Sequence, residues 1–299
     1  MTLLLAACVL IPVYAGADKV DIRLNLKDDQ SWEYRFVQAE TVTIHFPQHT
    51  TMLHGTTKLG VVFDVIKANG DGTVELKASY SSPSLSFRIS GEQAPEELMQ
   101  PINELLSRLD GHSFTFTLTR HGRAVDLDGL DDAVTNAAKT MPAADQASVR
   151  VAAAVVEAYL GKAAVAPLMD SIFSIYPRGP VEIGERWRRQ SAVNVGISLV
   201  QETFMKILRT GGGMTDVKVY SVMETPDQGG ALLLPGAPGD TRCTMKGTSQ
   251  GEMQIEQATG LIQSASLKNS LQGSTSSGEG ASKVTTPIAL EGTLTIQRD

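Results

Sequence analysis

The fold class is decided by the stretch LGVVFDVIKANGDGTVELKASY, residues 59–80, which has the pattern of a β-hairpin. Two runs of strand-forming residues, Leu59–Lys67 and Thr73–Tyr80, flank the turn NGDG at positions 69–72. Glycines in such a turn supply the positive φ angles that a tight reversal needs. The stretch therefore predicts a pair of antiparallel strands.

Period-two alternation of apolar and polar residues continues on both sides of this hairpin. Upstream, Val20–Leu26, Trp32–Phe36 and Val42–Phe46 each have the pattern of a half-buried strand. Two segments rich in Gly, Pro or Ser, residues 225–240 and 273–280, are predicted to be exposed loops. Further strands are predicted at residues 114–118, 124–127, 187–199, 203–209, 217–223, 241–255, 260–270 and 288–296.

Two stretches have helical patterning instead. After Pro95, apolar residues recur at the three-to-four spacing of a helix face, and Gly111 then ends the helix. These apolar residues are Leu98, Ile102, Leu105, Leu106 and Leu109. The chain is also Ala-rich and helical from about residue 130 to residue 176. This second stretch is divided at Met141-Pro142, Gly161 and Pro167.

The order of these elements predicts an α+β fold. We expect an antiparallel, curved β-sheet in two similar halves, with helices inserted between the halves and packed on the sheet. A single domain is expected to span residues 18–299. It would consist of a β half at about 18–127, a helical insert at about 128–177 and a β half at about 178–299.

A weak internal repeat favours two similar halves. Trp32 and Trp187 each follow a polar turn and begin an alternating strand, and we expect Trp187 to anchor its strand in the core. The strand–glycine–strand unit around Gly122 corresponds to the unit around Gly260. A chance likeness between two β-meanders is the alternative interpretation.

The first 17 residues have the pattern of a secretory signal peptide. They carry no charge, residues 3–14 are apolar, and AGA at 15–17 fits the small-x-small rule for cleavage. A lipoprotein leader is the second interpretation, because LAAC at 5–8 fits a lipobox in which Cys8 is lipidated. Both interpretations predict export to the periplasm or cell envelope, with a lipid anchor only in the second. Beyond the leader, we expect no apolar run long enough to span a bilayer.

Composition narrows the classes of function. The net charge is −7 and no basic block is present, so the sequence has no footprint of a nucleic-acid-binding protein. After removal of the leader Cys243 is the one remaining cysteine, which excludes an intrachain disulfide. A lone cysteine of this kind is expected to be buried and inert.

Ser249 lies in Gly247–Gly251, which matches the G-x-S-x-G motif of serine hydrolases. That motif requires a strand before the serine, a helix after it, and a histidine later in the chain. Residues 252–256 alternate like a strand, and His121 is the last histidine of the sequence. A chance match within a strand connection is therefore favoured over a nucleophile.

His45, His49 and His54 lie close together in the sequence and suggest a zinc or copper site, because imidazole binds both ions. In an extended strand His45 and His49 would lie about 13 Å apart, at about 3.3 Å per residue. Two ligands of one zinc must each lie about 2 Å from it. Solvent-facing histidines around a loop are the favoured interpretation.

Residues 126–132, DLDGLDD, faintly resemble a calcium loop. An EF-hand requires its glycine at the sixth position, whereas Gly129 is fourth from Asp126. We expect Asp128 to cap the following helix, with Asp131 and Asp132 in its first turn.

Glu96, Glu97 and Glu104 raise the question of a carboxylate pair for glycoside hydrolysis. Glu97 and Glu104 lie seven residues apart and could share a helix face, but no neighbouring feature of the sequence desolvates them. A solvated helix face is the favoured interpretation. The sequence therefore predicts no catalytic residue, no cofactor-binding residue and no metal ligand.

Residues 176–187, YPRGPVEIGERW, resemble a segment of a family of uncharacterised, secreted or lipid-anchored bacterial proteins. In that family Gly-(Asp/Glu)-x-Trp opens the second β half. The turns Asp71-Gly72 and Gly122-Arg123 and the segment Leu109–Phe114 are similar to turns and strands of the same family. The family is catalogued as a domain of unknown function, so the resemblance implies an exported, β-rich fold and no catalytic residues.

These observations favour a non-catalytic exported envelope protein that binds a lipid or other apolar ligand, or an envelope protein as partner. A curved sheet covered by helices resembles periplasmic carriers of lipid or lipoprotein at the level of fold, which does not fix function. This hypothesis predicts an apolar cavity between the helices and the sheet. The alternative is a secreted hydrolase or metal-dependent enzyme, in which His45, His49 and His54 or acidic pairs converge in a polar cleft.

Overall fold

The computed structural model describes residues 19–141, 146–194, 197–226, 230–231, 241–277 and 284–299. The signal peptide predicted at residues 1–17, and Cys8 with it, lies outside the described residues. The same is true of most of the loop predicted at residues 225–240.

Strands are more numerous than helices in the described part of the chain. The helices are α1 (Glu96–Leu109), α2 (Ala133–Lys139), α3 (Gln146–Leu160) and α4 (Lys162–Phe173). The strands of the N-terminal half are β1 (Lys19–Val20), β2 (Ser31–His45), β3 (Thr50–Ala68), β4 (Val74–Ile89), β5 (Glu92–Gln93), β6 (Ser113–Leu118) and β7 (Ala124–Asp128). Those of the C-terminal half are β8 (Val181–Glu182), β9 (Arg186–Asn194), β10 (Ser198–Gly211), β11 (Met214–Glu224), β12 (Gly230–Ala231), β13 (Arg242–Glu256), β14 (Ile262–Ser277) and β15 (Val284–Arg298).

One antiparallel sheet dominates the structure, in the order β7-β6-β4-β3-β2-β15-β14-β13-β11-β10-β9. Each half is a meander of neighbouring strands, and the halves join where β15 pairs with β2. The sheet is open, with β7 and β9 at its edges, and α4 contacts both of these strands. The predicted α+β fold, with helices inserted between two β halves and packed on an antiparallel sheet, is confirmed. The sheet was also expected to be curved, whereas it is open and uncurled.

The hairpin that decides the fold class is formed by β3 and β4. Its turn is closed by the Asn69 N–H, which donates to the Thr73 carbonyl at 2.8 Å, and by the Gly72 N–H, which donates to the Asn69 carbonyl at 3.0 Å. The sequence predicted positive φ angles at the glycines of this turn. Of the two, Gly72 has a positive φ, of 85°, and Gly70 does not.

Helix α1 packs on β4 of the N-terminal half of the sheet, whereas α4 contacts β7 of that half and β9 of the C-terminal half. The spacing after Pro95 gives α1 as predicted, and α1 buries Ile102, Leu105, Leu106 and Leu109. The predicted helical insert consists of α2, α3 and α4, with Gly161 between α3 and α4 and Pro167 inside α4.

Aromatic rings fill the space between α4 and the N-terminal half of the sheet. Trp32 stacks on Phe63 with ring centroids 5.4 Å apart. Phe173, in the last turn of α4, meets the edge of Phe63 at 5.5 Å and lies 6.1 Å from Phe116. The aromatic cluster, Trp32, Phe63, Phe116 and Phe173, is therefore a packed core without room for a ligand.

Three predicted boundaries were wrong. Of the strand predicted at residues 20–26, only Val20 pairs, together with Lys19, as β1, although residues 21–26 still bury alternate side chains. The strand predicted at residues 187–199 is divided between two strands, since residues 187–194 belong to β9 and residues 198–199 begin β10, which pairs with β9. Two strands of the same period can flank a reversal without breaking the alternation. Residues 273–277 are strand, since Gly273 pairs so closely that a Cβ there would lie 1.9 Å from the Thr244 carbonyl oxygen.

The stretch Gln146–Phe173 has the length and apolar composition of a membrane span, contrary to the expectation from the sequence. In the structure it consists of α3 and α4 on either side of Gly161, with side chains in the core. A buried core helix has the same composition, so this finding gives little support to a span.

The Glu40 carboxylate of β2 is buried where α3 crosses the sheet, with 9% of the residue exposed. Its Oε1 accepts a hydrogen bond from the Tyr159 hydroxyl at 3.0 Å, and its Oε2 accepts one from Gln38 Nε2 at 3.0 Å. Desolvation raises the pKa of Glu40 above its usual range, and the two hydrogen bonds offset this only in part.

We expect Glu40→Gln to raise the free energy of unfolding at neutral pH and to remove part of its pH dependence. Because the pKa of Glu40 is raised in the folded chain, its contribution to stability is full below the unfolded pKa and is lost as pH rises through the folded pKa. Unfolding midpoints of both proteins, measured from about pH 4 to about pH 8, should diverge as pH rises. The exposed Glu92→Gln is the control, and a difference independent of pH would contradict the prediction.

Candidate functional site

The histidines of the metal hypothesis lie apart along the β2–β3 hairpin. His45 Nδ1 lies 3.2 Å from Thr50 Oγ1, and His54 Nδ1 lies 2.9 Å from Thr41 Oγ1. His49 lies in the turn between the two strands. The ladder places His54 opposite Thr41, four residues before His45, and the described residues contain no group of three or more His, Cys, Asp or Glu that could hold a metal ion.

Ser249 lies in the middle of β13 and not at an elbow between a strand and a helix. The two glycines of its motif have a packing role, because β13 and β14 approach closely at both positions. A Cβ on Gly247 would lie 2.0 Å from the Ser270 carbonyl oxygen, and one on Gly251 would lie 1.9 Å from that of Ser266. The motif therefore reflects close strand pairing here.

The prediction that Asp128 caps the next helix was wrong. Its carboxylate accepts the Gly129 N–H at 2.9 Å, and Gly129 turns the chain with a φ of 93°. Because the chain turns at Gly129, α2 begins only at Ala133. Asp131 and Asp132 precede the helix, and Asp132 at the N-cap makes no side-chain capping bond.

The other residues considered in the sequence analysis lie on an exposed helix face, in an ion pair or in the core. Glu96 and Glu97 are exposed in the first turn of α1, and Glu104 forms an ion pair with Arg108 at 2.8 Å. Cys243 is buried as predicted, and desolvation raises the pKa of its thiol to about 11. At that pKa the nucleophilic thiolate is scarce at neutral pH.

The cavity expected between the helices and the sheet lies in a different place. The aromatic cluster and α1 fill the N-terminal half, whereas a chamber of about 120 Å³ lies over the inner face of the C-terminal half. Strands β9–β11 and β13–β15 form its floor, and residues 170–175 at the end of α4 form its roof. A dry apolar cavity of about 150 Å³ can hold one benzene molecule.

The chamber lining is mainly apolar. Three of its side chains are methionines, which are flexible enough to adjust to an incoming apolar group; they are Met205, Met223 and Met253. Ser249 also lines the chamber, and its buried hydroxyl has no hydrogen-bond partner among the described residues.

A cleft of about 720 Å³ adjoins the chamber, and five arginines line it. Arg120 and Arg123 come from the turn between β6 and β7, Arg178 follows α4, and Arg188 and Arg189 belong to β9. We call this the arginine cleft. Chamber and cleft share the lining residues Asp170, Ser174, Arg189, Gln190 and Ser191.

Two buried polar atoms without partners lie at this junction: Arg189 Nε and Ser174 Oγ. Arg189 is held in place by an Nη2 hydrogen bond to the Tyr176 carbonyl. Tyr176 is in turn fixed by its hydroxyl, which donates to the Gly260 carbonyl at 2.9 Å. Desolvation and the nearby Arg178 charge lower the pKa of Arg189, which still remains protonated at neutral pH.

The arginines of the cleft are poorly neutralised by protein groups. Arg188 pairs with Glu202 at 3.1 Å. Across the described residues, ion pairs are absent for the other four, which are Arg120, Arg123, Arg178 and Arg189. The second carboxylate of the cleft, Asp170, accepts the Ala124 N–H at 2.8 Å. The junction therefore offers hydrogen-bond donors and positive charge beside an apolar chamber.

Sequence reasoning missed this site because the residues of the cleft come from four separate stretches of the chain: the β6–β7 turn, the end of α4 with the residues after it, β9, and β10. Trp187 was expected to anchor its strand in the core, but it is only half-buried, and its Nε1 donates to the Ile175 carbonyl at 2.8 Å. The signal that could have found the cleft is the density of arginines in residues 178–189, four in twelve positions.

Comparisons with known proteins give a family and little else. The model of a "Family of unknown function (DUF6263)" matches residues 71–262, more than half of the 299-residue chain. No curated protein matches the chain. Among solved structures, the chain is similar to the COG4313 outer membrane channel from Pseudomonas putida F1, at 7% identity, over 93% of this chain and 98% of that chain. The TM-score of 0.22 is too low to support a structural argument.

Proposed function

The chain belongs to DUF6263, a family of unknown function, and we propose that it is a non-catalytic binding protein for an apolar ligand in the cell envelope. The observation that carries this proposal is the chamber over the C-terminal half of the sheet. Its floor is the inner face of six strands, and its roof is formed by residues 170–175, the last turn of α4 and the two residues after it.

The lining supports an apolar chain as the ligand. Val219, Met253 and Leu294 line the chamber from three different strands, so an alkyl chain there would be surrounded by carbon and sulfur. Each CH2 group removed from water contributes about 0.8 kcal/mol. The cleft gives such a ligand a way in from solvent, because it shares lining residues with the chamber.

Export is the second part of the proposal and rests on the sequence of residues 1–17. Expression of the gene in a Gram-negative host, followed by mass spectrometry of the mature N-terminus, tests it. Cleavage before Asp18 supports a released protein, and a lipidated Cys8 supports an anchored one. An intact N-terminus in the cytoplasmic fraction would contradict export.

We expect the purified protein to bind 1-hexanol, a neutral single-chain probe with as many carbons as benzene, and Ala265→Leu to weaken this binding about tenfold or more. Ala265 lines the chamber and is 8% exposed, so a leucine there occupies the space of several ligand carbons, each worth about 0.8 kcal/mol. Isothermal titration calorimetry measures both affinities.

The control is Ala192→Leu, the same substitution at an exposed position of β9. It should bind 1-hexanol as tightly as the wild type. Equal affinities for all three proteins would place the ligand outside the chamber, and no binding by the wild type would contradict the proposed function.

A further inference from the structure

The arginine cleft concentrates positive charge on an acidic chain. The net charge is −7, yet five arginines line this one cleft beside only two carboxylates, Asp170 and Glu202. Like charges held together without counterions repel one another, and a low-dielectric wall strengthens the effect. Such an arrangement is stabilised when an anion enters it.

The junction of cleft and chamber also presents donors that the protein does not use. Arg189 Nε and Ser174 Oγ are buried and unpartnered among the described residues, and both residues line the cleft and the chamber. Buried polar groups are normally hydrogen-bonded, so an unpartnered pair at one place points to a missing acceptor. An oxyanion bound at this junction would supply oxygen acceptors for these groups.

We propose that the arginine cleft binds the oxyanion head of an amphiphile whose alkyl chain occupies the chamber. This inference rests on the proposed function and names the ligand class of that same site. The guanidinium group presents a planar fork of donors that matches a carboxylate or a phosphate. Both heads share this chemistry, and the ligand is a fatty acid or a single-chain alkyl phosphate.

The placement of the two parts is consistent with such a ligand. Arg189 and Ser174 lie where the cleft meets the chamber, so a head bound there directs its chain toward Met205 and Met253. Arg120, Arg123 and Arg178 line the cleft and are exposed, so they remain accessible to an entering head. Long-range attraction by these side chains predicts binding that weakens as salt rises.

Calorimetry with hexanoate, hexyl phosphate and 1-hexanol at about pH 7.5 tests the inference, because the three probes have alkyl chains of similar length that suit the chamber of about 120 Å³. We expect at least one of the two anions to bind about tenfold or more tightly than 1-hexanol, because charge-assisted hydrogen bonds are the strong ones. Arg178→Gln should reduce this advantage about fivefold and leave 1-hexanol affinity unchanged, since Arg178 lines the cleft and not the chamber.

Arg186→Gln is the matched control, because Arg186 is exposed and lies outside the cleft lining. Arg178→Lys keeps the charge but not the fork, and separates the two contributions if Arg178→Gln is unstable. Equal affinity of 1-hexanol and both anions would overturn the inference and leave the proposed function standing. Inorganic phosphate that binds as tightly as hexyl phosphate would also overturn it, since the site would then recognise a free anion.

Discussion

Phe173→Ala will lower the free energy of unfolding by about 3–5 kcal/mol, the usual cost of removing a buried aromatic ring. Phe173 is fully buried and contacts Trp32, Phe63 and Phe116, so its removal leaves a cavity that three rigid rings cannot close. Aromatic pairs add about 0.5–1.5 kcal/mol each beyond the buried area. Urea denaturation measures the change, and the melting temperature should fall by roughly 6–20 °C, at about 2–4 °C per kcal/mol.

Phe46→Ala is the control for this substitution. Phe46 is 40% exposed and stacks on His49 at the end of the β2–β3 hairpin, away from the aromatic cluster. Its removal should cost within about 0.5 kcal/mol, as for other surface changes. A loss of similar size in both variants would mean that the aromatic cluster does not anchor α4.

Local patterns were sufficient to predict most of the fold. The apolar spacing from Leu98 to Leu109 gives α1, because a helix face repeats within one turn and is visible in a short window. The glycines of the β3–β4 turn give the hairpin for the same reason. The wrong boundaries arise where tertiary pairing decides, as at Gly273, which continues β14 because its neighbours approach closely.

The candidate site could not be predicted in the same way. The Ser174 hydroxyl and the Arg189 guanidinium belong to residues that are fifteen positions apart in sequence. They line the same cleft only because β9 packs against α4. The position of the chamber depends on which part of the sheet the helices cover. A short sequence pattern does not determine where a helix packs on a sheet. The motifs that stood out in the sequence were informative about packing, as the glycines beside Ser249 show.

Gly122→Ala will cost about 2–5 kcal/mol of stability and will also weaken binding of the anionic probes. Gly122 has a φ of 77°, where an L-residue pays about 1–2 kcal/mol. A Cβ there would lie 1.6 Å from the Phe173 carbonyl oxygen, so the turn must move away from α4, and overpacking of this kind costs about 1–3 kcal/mol. The same turn carries Arg120 and Arg123, so its displacement moves two arginines of the cleft.

Gly111→Ala separates the two causes, because Gly111 has the same φ of 77° but nothing within 4 Å of its Cβ position. It should lose only the conformational part, about 1–2 kcal/mol, and should bind hexanoate and hexyl phosphate as the wild type does. Urea denaturation measures the loss of stability in both variants, and calorimetry measures their affinity for the anionic probes. If Gly111→Ala and Gly122→Ala lose the same stability and keep the same anion affinity, then contact of the β6–β7 turn with α4 does not hold the arginine cleft in shape.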